Sequence, residues 1–127
     1  MDCFELSVEL EFCAAHILVG HAGKCANLHG HNYKVEVSLK GSKLNSLGIL
    51  VDFTDIKNAS KDIIEGLDHK YLNEIDYKPF KDGQTTAENI SKYIYNKLKE
   101  ELGENSNLVN YVKIWETPKA SVKYSEI

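Results

Sequence analysis

From Phe4 to Phe12 apolar and polar residues alternate without a break. Phe4, Leu6, Val8, Leu10 and Phe12 fall on one side, and Glu5, Ser7, Glu9 and Glu11 on the other. That period of two marks a half-buried strand, because successive side chains of extended backbone point to opposite faces. A second strand is predicted from about Asn32 to Lys40, with Tyr33, Val35, Val37 and Leu39 inward. If the two pair, the glutamates of the first can lie against Lys34 and Lys40 of the second. The spacing then becomes helical. Phe53, Ile56, Ala59, Ile63, Ile64 and Leu67 recur at steps of three and four, with Gly66 as a stop. A second helix opens at Thr85-Thr86-Ala87-Glu88, where Thr85 and Glu88 have capping-box spacing. Ala87, Ile90, Ile94, Leu98 and Leu102 form its apolar stripe, and Gly103 closes it. Two short strands follow, near Val109–Thr117 and Lys119–Ser125, turning at Pro118. The predicted order ββααββ is an α+β fold: a four-stranded antiparallel sheet with two helices on one face.

The 127 residues suit one domain, spanning 1–127, and the 43% hydrophobic content is too high for a disordered chain. The net charge is −4, and every one of the 15 basic residues is a lysine. An acidic chain without arginine is a poor match for nucleic acid or an anionic membrane. No apolar run approaches a membrane span, and the Glu-rich start lacks the cationic segment of a targeting peptide. Three cysteines, an odd number, point to reduced thiols and a cytoplasmic setting.

Between the first two strands, Cys13 to His31 shows little periodicity yet holds four of the five histidines. Connections of that length in a small domain are usually functional. His29-Gly30-His31 puts two imidazoles on the same side of an extended backbone, and His16 supplies a third if the strands pair. Three neutral nitrogen ligands with an open fourth position are what a catalytic zinc requires. Cys25 stands four residues before His29 and reads three ways: a fourth ligand closing a structural site, a buried small hydrophobe as expected for Cys13, or a reactive thiolate favoured by Lys24 and a nearby metal. Asp68-His69 is the orienting half of a relay only if an irregular turn lets adjacent side chains meet. Glu116 shares a strand face with Val112 and Ile114, so alternation aims its carboxylate at the apolar side, unless the strand end leaves it in water.

Six segments in order resemble the 6-pyruvoyltetrahydropterin synthase / 6-carboxytetrahydropterin synthase family. They are Phe12-Cys13-Ala14-Ala15-His16 with Cys25-Ala26-Asn27-Leu28-His29-Gly30-His31, Val51-Asp52-Phe53, Leu67-Asp68-His69-Lys70-Tyr71-Leu72-Asn73, Thr85-Thr86-Ala87-Glu88-Asn89, and Trp115-Glu116-Thr117. The resemblance implies a tunnelling fold, in which sheets of several subunits close a barrel with sites between them, as a homo-oligomer that in the family is a dimer of trimers. It assigns zinc to His16, His29 and His31, the acid/base thiol to Cys25, and relay roles to Asp68 and His69. It makes Glu116 the anchor of a pterin's amino-pyrimidine edge, with Thr85 and Thr86 nearby.

The three residues between Cys25 and His29 resemble the spacing of carboxytetrahydropterin enzymes of queuosine synthesis. The implied reaction converts 7,8-dihydroneopterin triphosphate to 6-carboxytetrahydropterin, acetaldehyde and triphosphate. The alternatives are the pyruvoyl synthase, which eliminates triphosphate but keeps the side-chain carbons, and a non-catalytic zinc-binding module closed by Cys25. The chain departs from the family at Ile17, where arginine is common, at Cys13, which replaces a small residue, and at Gln84, where many members have proline. Without arginine, the triphosphate must be held by lysines, backbone amides or helix N-termini.

Overall fold

The computed structural model describes all residues, Met1–Ile127. Two long strands form its centre: β1 (Phe4–His16) pairs antiparallel with β2 (His29–Gly41), from Phe4 opposite Gly41 to His16 opposite His29. β4 (Val109–Thr117) adds to the other edge of β2, and β5 (Ala120–Tyr124) to the edge of β4, both antiparallel. The two-residue β3 (Lys70–Tyr71) pairs with β1 in parallel. The sheet is therefore five-stranded and mixed, in the order β3-β1-β2-β4-β5, and corrects the expected four-stranded antiparallel sheet. A two-residue strand carries no readable alternation, and its parallel pairing is set by tertiary contact alone.

The connection between β1 and β2 is also shorter than expected. β1 runs on to His16 and β2 begins at His29, leaving residues 17–28 as the loop. Small Ala14 and Ala15 and the inward, polar histidines break the alternation of apolar and polar positions. With the register continued, Cys13 falls on the polar face opposite Asn32. It is exposed rather than buried, and its thiol donates to Asn32 Oδ1 at 2.9 Å.

Two longer helices, α1 (Phe53–Glu65) and α3 (Ala87–Leu102), and a single turn, α2 (Lys78–Lys81), complete the fold. α1 starts where Asp52 accepts from the Thr54 N–H at 2.9 Å. The cap of α3 is Thr86, which accepts from the Asn89 N–H at 3.1 Å, and not the expected Thr85. Thr85 is displaced from that role because it is buried and bonded to the neighbouring loop. The inward positions Val8, Phe12, Val35, Val37, Leu39, Val112 and Ile114 join Ile56, Ile90, Ile94 and Leu98 of the helices in a continuous core. No helix is long and apolar enough to cross a membrane.

The opposite face of the sheet has no helix over it and is charged. Lys34 pairs with Glu9 at 2.7 Å, and Lys34 and Lys113 each stand 4.6 Å from the Trp115 ring centroid. The lysine–glutamate pairing expected between β1 and β2 thus forms, on the diagonal to Glu9.

The loop 17–28 is tied to the start of α3. Its Val19 N–H donates to the Gly83 carbonyl at 3.1 Å, and Leu18 bridges Gln84. Gly83 has φ +82°, and a Cβ there would collide with the Val19 side chain. Gly83→Ala is expected to lower stability by about 1–2 kcal/mol, since a left-handed backbone and a clash coincide. Chemical denaturation checks this, and an unchanged midpoint would contradict it.

Candidate active site

The last residues of β1 and the first of β2 carry the core face past the apolar residues and into a polar end. In register, Phe12 faces Tyr33, Ala14 faces His31 and His16 faces His29, so all three imidazoles project on the helix-covered side. Their rings lie 4.5 Å (His16–His29), 5.3 Å (His16–His31) and 4.9 Å (His29–His31) apart, centroid to centroid. On β4, continuing the alternation from Val112 and Ile114 brings Glu116 to the same place. Its Oε1 lies 3.0 Å from His31 Nε2. One donor atom from each of His16, His29, His31 and Glu116 falls within 4.8 Å of the other three.

The orientation of the rings is set from outside. His16 Nδ1 lies 2.7 Å from the Thr85 carbonyl and His29 Nδ1 lies 2.7 Å from the Asn27 carbonyl. A carbonyl can only accept, so each Nδ1 carries the proton and each Nε2 presents a lone pair. His29 Nε2 and His31 Nε2 are buried with no hydrogen-bond partner. The 3.0 Å approach of Glu116 to His31 is close in distance but is not aligned as a hydrogen bond. Buried lone pairs pointing at one another are costly unless a cation lies between them. Three imidazoles, two with backbone carbonyls behind them, and one carboxylate fit a divalent ion of zinc's preferences.

Burial lowers the affinity of His16 for a proton below its ordinary value of 6.5, against the opposing pull of the Thr85 carbonyl. Burial lowers that of His31 as well, against the pull of Glu116. Both rings are thus held in the neutral form that ligates a metal. The linked effect on stability has a definite sign. The unfolded chain takes up protons at these rings near pH 6.5, before the folded one does, so the metal-free protein loses stability as the pH falls below that value. Denaturant midpoints at pH 7.5 and 5.5 check this: the lower pH should give the lower midpoint, and an equal or higher one would contradict it.

Thr85 is fully buried, and its hydroxyl donates to the Ile17 carbonyl at 3.2 Å. Asn73 was not singled out by sequence reasoning, yet it closes a two-way bond with Ile17: Nδ2 donates to the carbonyl and Oδ1 accepts from the N–H, each at 3.0 Å. Asn73 and Thr85 together lock the chain just after His16. The only signal available for Asn73 was its place at the end of the Leu67–Asn73 segment. Thr86 spends its hydroxyl on the cap of α3.

Cys25 sits in a single 3-10 turn, Lys24–Ala26, where its carbonyl accepts from the Leu18 N–H at 2.9 Å. It is half-buried, and its thiol is not among the four grouped donors. The fourth donor beside the histidines is the carboxylate of Glu116.

Asp68 and His69 meet through the irregular turn that adjacency demands. His69 has φ 58°, and its Nδ1 lies 3.0 Å from Asp68 Oδ2. The turn is anchored on β1: Asp68 Oδ1 accepts from the Cys13 N–H at 2.9 Å, and the His69 N–H donates to the Cys13 carbonyl at 2.6 Å. The Cys13 amide, followed by His69, holds the Asp68 carboxyl below its ordinary range. His69 lines an open groove of about 540 Å³ together with Cys13, Ala15, His31, Asn32 and Tyr71. Cys13, Ala15 and Asn32 alternate with the inward residues, so this groove opens toward the helix-free face. Neither residue is among the donors grouped at the three histidines.

Comparisons with known proteins identify the family. A sequence model of the family described as 6-pyruvoyl tetrahydropterin synthase matches residues 5–127. The chain is 34% identical to a 6-carboxy-5,6,7,8-tetrahydropterin synthase of Haemophilus influenzae, over 97% of this chain and 99% of that one. It is 40% identical to a 6-pyruvoyl tetrahydrobiopterin synthase of Dictyostelium discoideum, over 80% and 73% of the respective chains. The solved 6-pyruvoyl tetrahydropterin synthase of Caenorhabditis elegans superposes with a TM-score of 0.89 at 30% identity, covering 100% of this chain and 98% of that one. With a family match over nearly its whole length and relatives at this identity, the chain belongs to the 6-pyruvoyl tetrahydropterin synthase family, which includes the 6-carboxytetrahydropterin synthases.

Proposed function

We propose that the protein is a zinc-dependent 6-carboxytetrahydropterin synthase acting on 7,8-dihydroneopterin triphosphate. The observation that carries the reading is the convergence of His16, His29 and His31, with the buried Nε2 atoms of His29 and His31 left without a partner. Bound there, zinc supplies Lewis-acid polarisation of the substrate's side-chain oxygens. The protein's own residues do the rest. Cys25 takes and returns protons at the side-chain carbons, and Asp68 with His69 relays them. Glu116 receives the amino-pyrimidine edge, whose parallel N–H groups match a carboxylate, with Thr85 and Thr86 nearby.

The separation of the two halves supports a site shared between copies. Neither Asp68 nor His69 is among the donors grouped at the three histidines, and His69 lines a groove that His31 also borders. A relay from His69 to Cys25 then joins Cys25 of one copy to the pair of the next. The functional unit is accordingly a homo-oligomer. The three-residue spacing of Cys25 and His29 supports the carboxy product over the pyruvoyl one.

Triphosphate release tests the shared part of the reading. Zinc-loaded protein is expected to liberate triphosphate from 7,8-dihydroneopterin triphosphate, and chelator-stripped protein to regain that activity on zinc addition. No release from folded, zinc-loaded protein would contradict it.

A further inference from the structure

Glu116 faces two partners at once. The carboxylate assigned to the pterin edge stands 3.0 Å from His31 Nε2, inside the same donor group as the three histidines. Donor atoms around a tetrahedral zinc, at bond lengths near 2.1 Å, are separated by about 3.4 Å. The His31–Glu116 separation is close to that edge, so little movement is needed for both to ligate one ion. The carboxylate is held there by the strand, since Glu116 continues the inward row of Val112 and Ile114 on β4. It is also the only acidic group beside the three rings.

Resting on the metal reading above, we propose that Glu116 is the fourth metal ligand of the resting protein and leaves the metal when a pterin arrives. The empty site is then closed, with three imidazoles and one carboxylate satisfying the ion and excluding water and stray anions. An incoming amino-pyrimidine edge offers two parallel N–H donors to the same two oxygens, and drawing them away vacates a coordination position beside the substrate's side chain. The metal's reactive position is opened by the part of the substrate that does not react. Because one carboxylate serves both partners, metal and pterin compete for it, and by linkage each weakens the other's hold on it.

Cobalt in place of zinc makes the fourth position visible through its d–d bands, and azide reports whether that position is open. The pterin probe is 6-methylpterin, which keeps the pyrimidine edge and has no side-chain hydroxyl. Azide is expected to perturb the bands of Glu116→Gln at concentrations at least about tenfold below those needed for the unaltered protein. Adding 6-methylpterin should bring the unaltered protein to the same azide sensitivity. Equal sensitivity of the two proteins, or a bound pterin with no effect on azide binding, would overturn the proposal. If Glu116→Gln fails to fold, the azide titration of the unaltered protein with and without 6-methylpterin decides alone. Cobalt bands that respond to His29→Ala but not to Glu116→Gln would leave the three-histidine metal site standing while overturning the gate. No cobalt bands in the unaltered protein would overturn both.

Discussion

Cys25→Ala is expected to lower turnover roughly 10²- to 10⁴-fold while leaving the metal content unchanged, the range that a positioned general acid–base group contributes. The two halves of that result rest on separate observations. The thiol lies outside the grouped donors, so the ion loses no ligand when sulfur is removed. The turn that carries it is held by its backbone, through the Leu18 N–H and the Cys25 carbonyl, so the loop keeps its path in the variant. Metal analysis and steady-state turnover on the same sample check both halves. Loss of metal together with the fold would make Cys25 a structural ligand and the site a closed binding module. Cys3, at the exposed N-terminus, serves as the control, and Cys3→Ala should leave turnover unchanged.

His29→Ala should weaken zinc binding by more than about 10²-fold, measured by competition with a chelator of known affinity. The ring is already oriented by the Asn27 carbonyl, and its buried Nε2 has no other use. His21 provides the contrast. It lies in the same loop, but its Nδ1 accepts from the Gly23 N–H at 2.9 Å, and it is not one of the grouped donors. His21→Ala should bind zinc as the unaltered protein does. Equal losses from the two substitutions, or none from either, would contradict the assignment of the metal to the paired strand ends.

The strands and the site were legible in the sequence to different depths. Alternation revealed β1 as far as Phe12 and stopped there, because Ala14 is small and His16 polar although both point into the core. The three histidines could be joined only by assuming that β1 and β2 pair, and the register bears out that assumption by setting His16 opposite His29. β3 and the single turn Lys78–Lys81 were invisible, being too short to show a period. At α3, two adjacent threonines offered two capping frames, and the burial of Thr85 under the Ile17 carbonyl decides for Thr86. The inward aim of Glu116 followed from alternation, but its contact with His31 depends on how β4 lies beside β2, which is a property of the whole sheet. The Asp68–His69 contact depends on a positive φ at a non-glycine residue, held by Cys13 of another strand. Such a turn is fixed by tertiary bonds and leaves no local pattern.

The proposed reaction breaks a carbon–carbon bond as well as expelling triphosphate. Acetaldehyde measures that step alone. With zinc-loaded protein and 7,8-dihydroneopterin triphosphate, acetaldehyde should appear in equal amount with triphosphate, alongside 6-carboxytetrahydropterin. Triphosphate without acetaldehyde, and a pterin that keeps its three side-chain carbons, would contradict the claim and make the protein a pyruvoyl synthase.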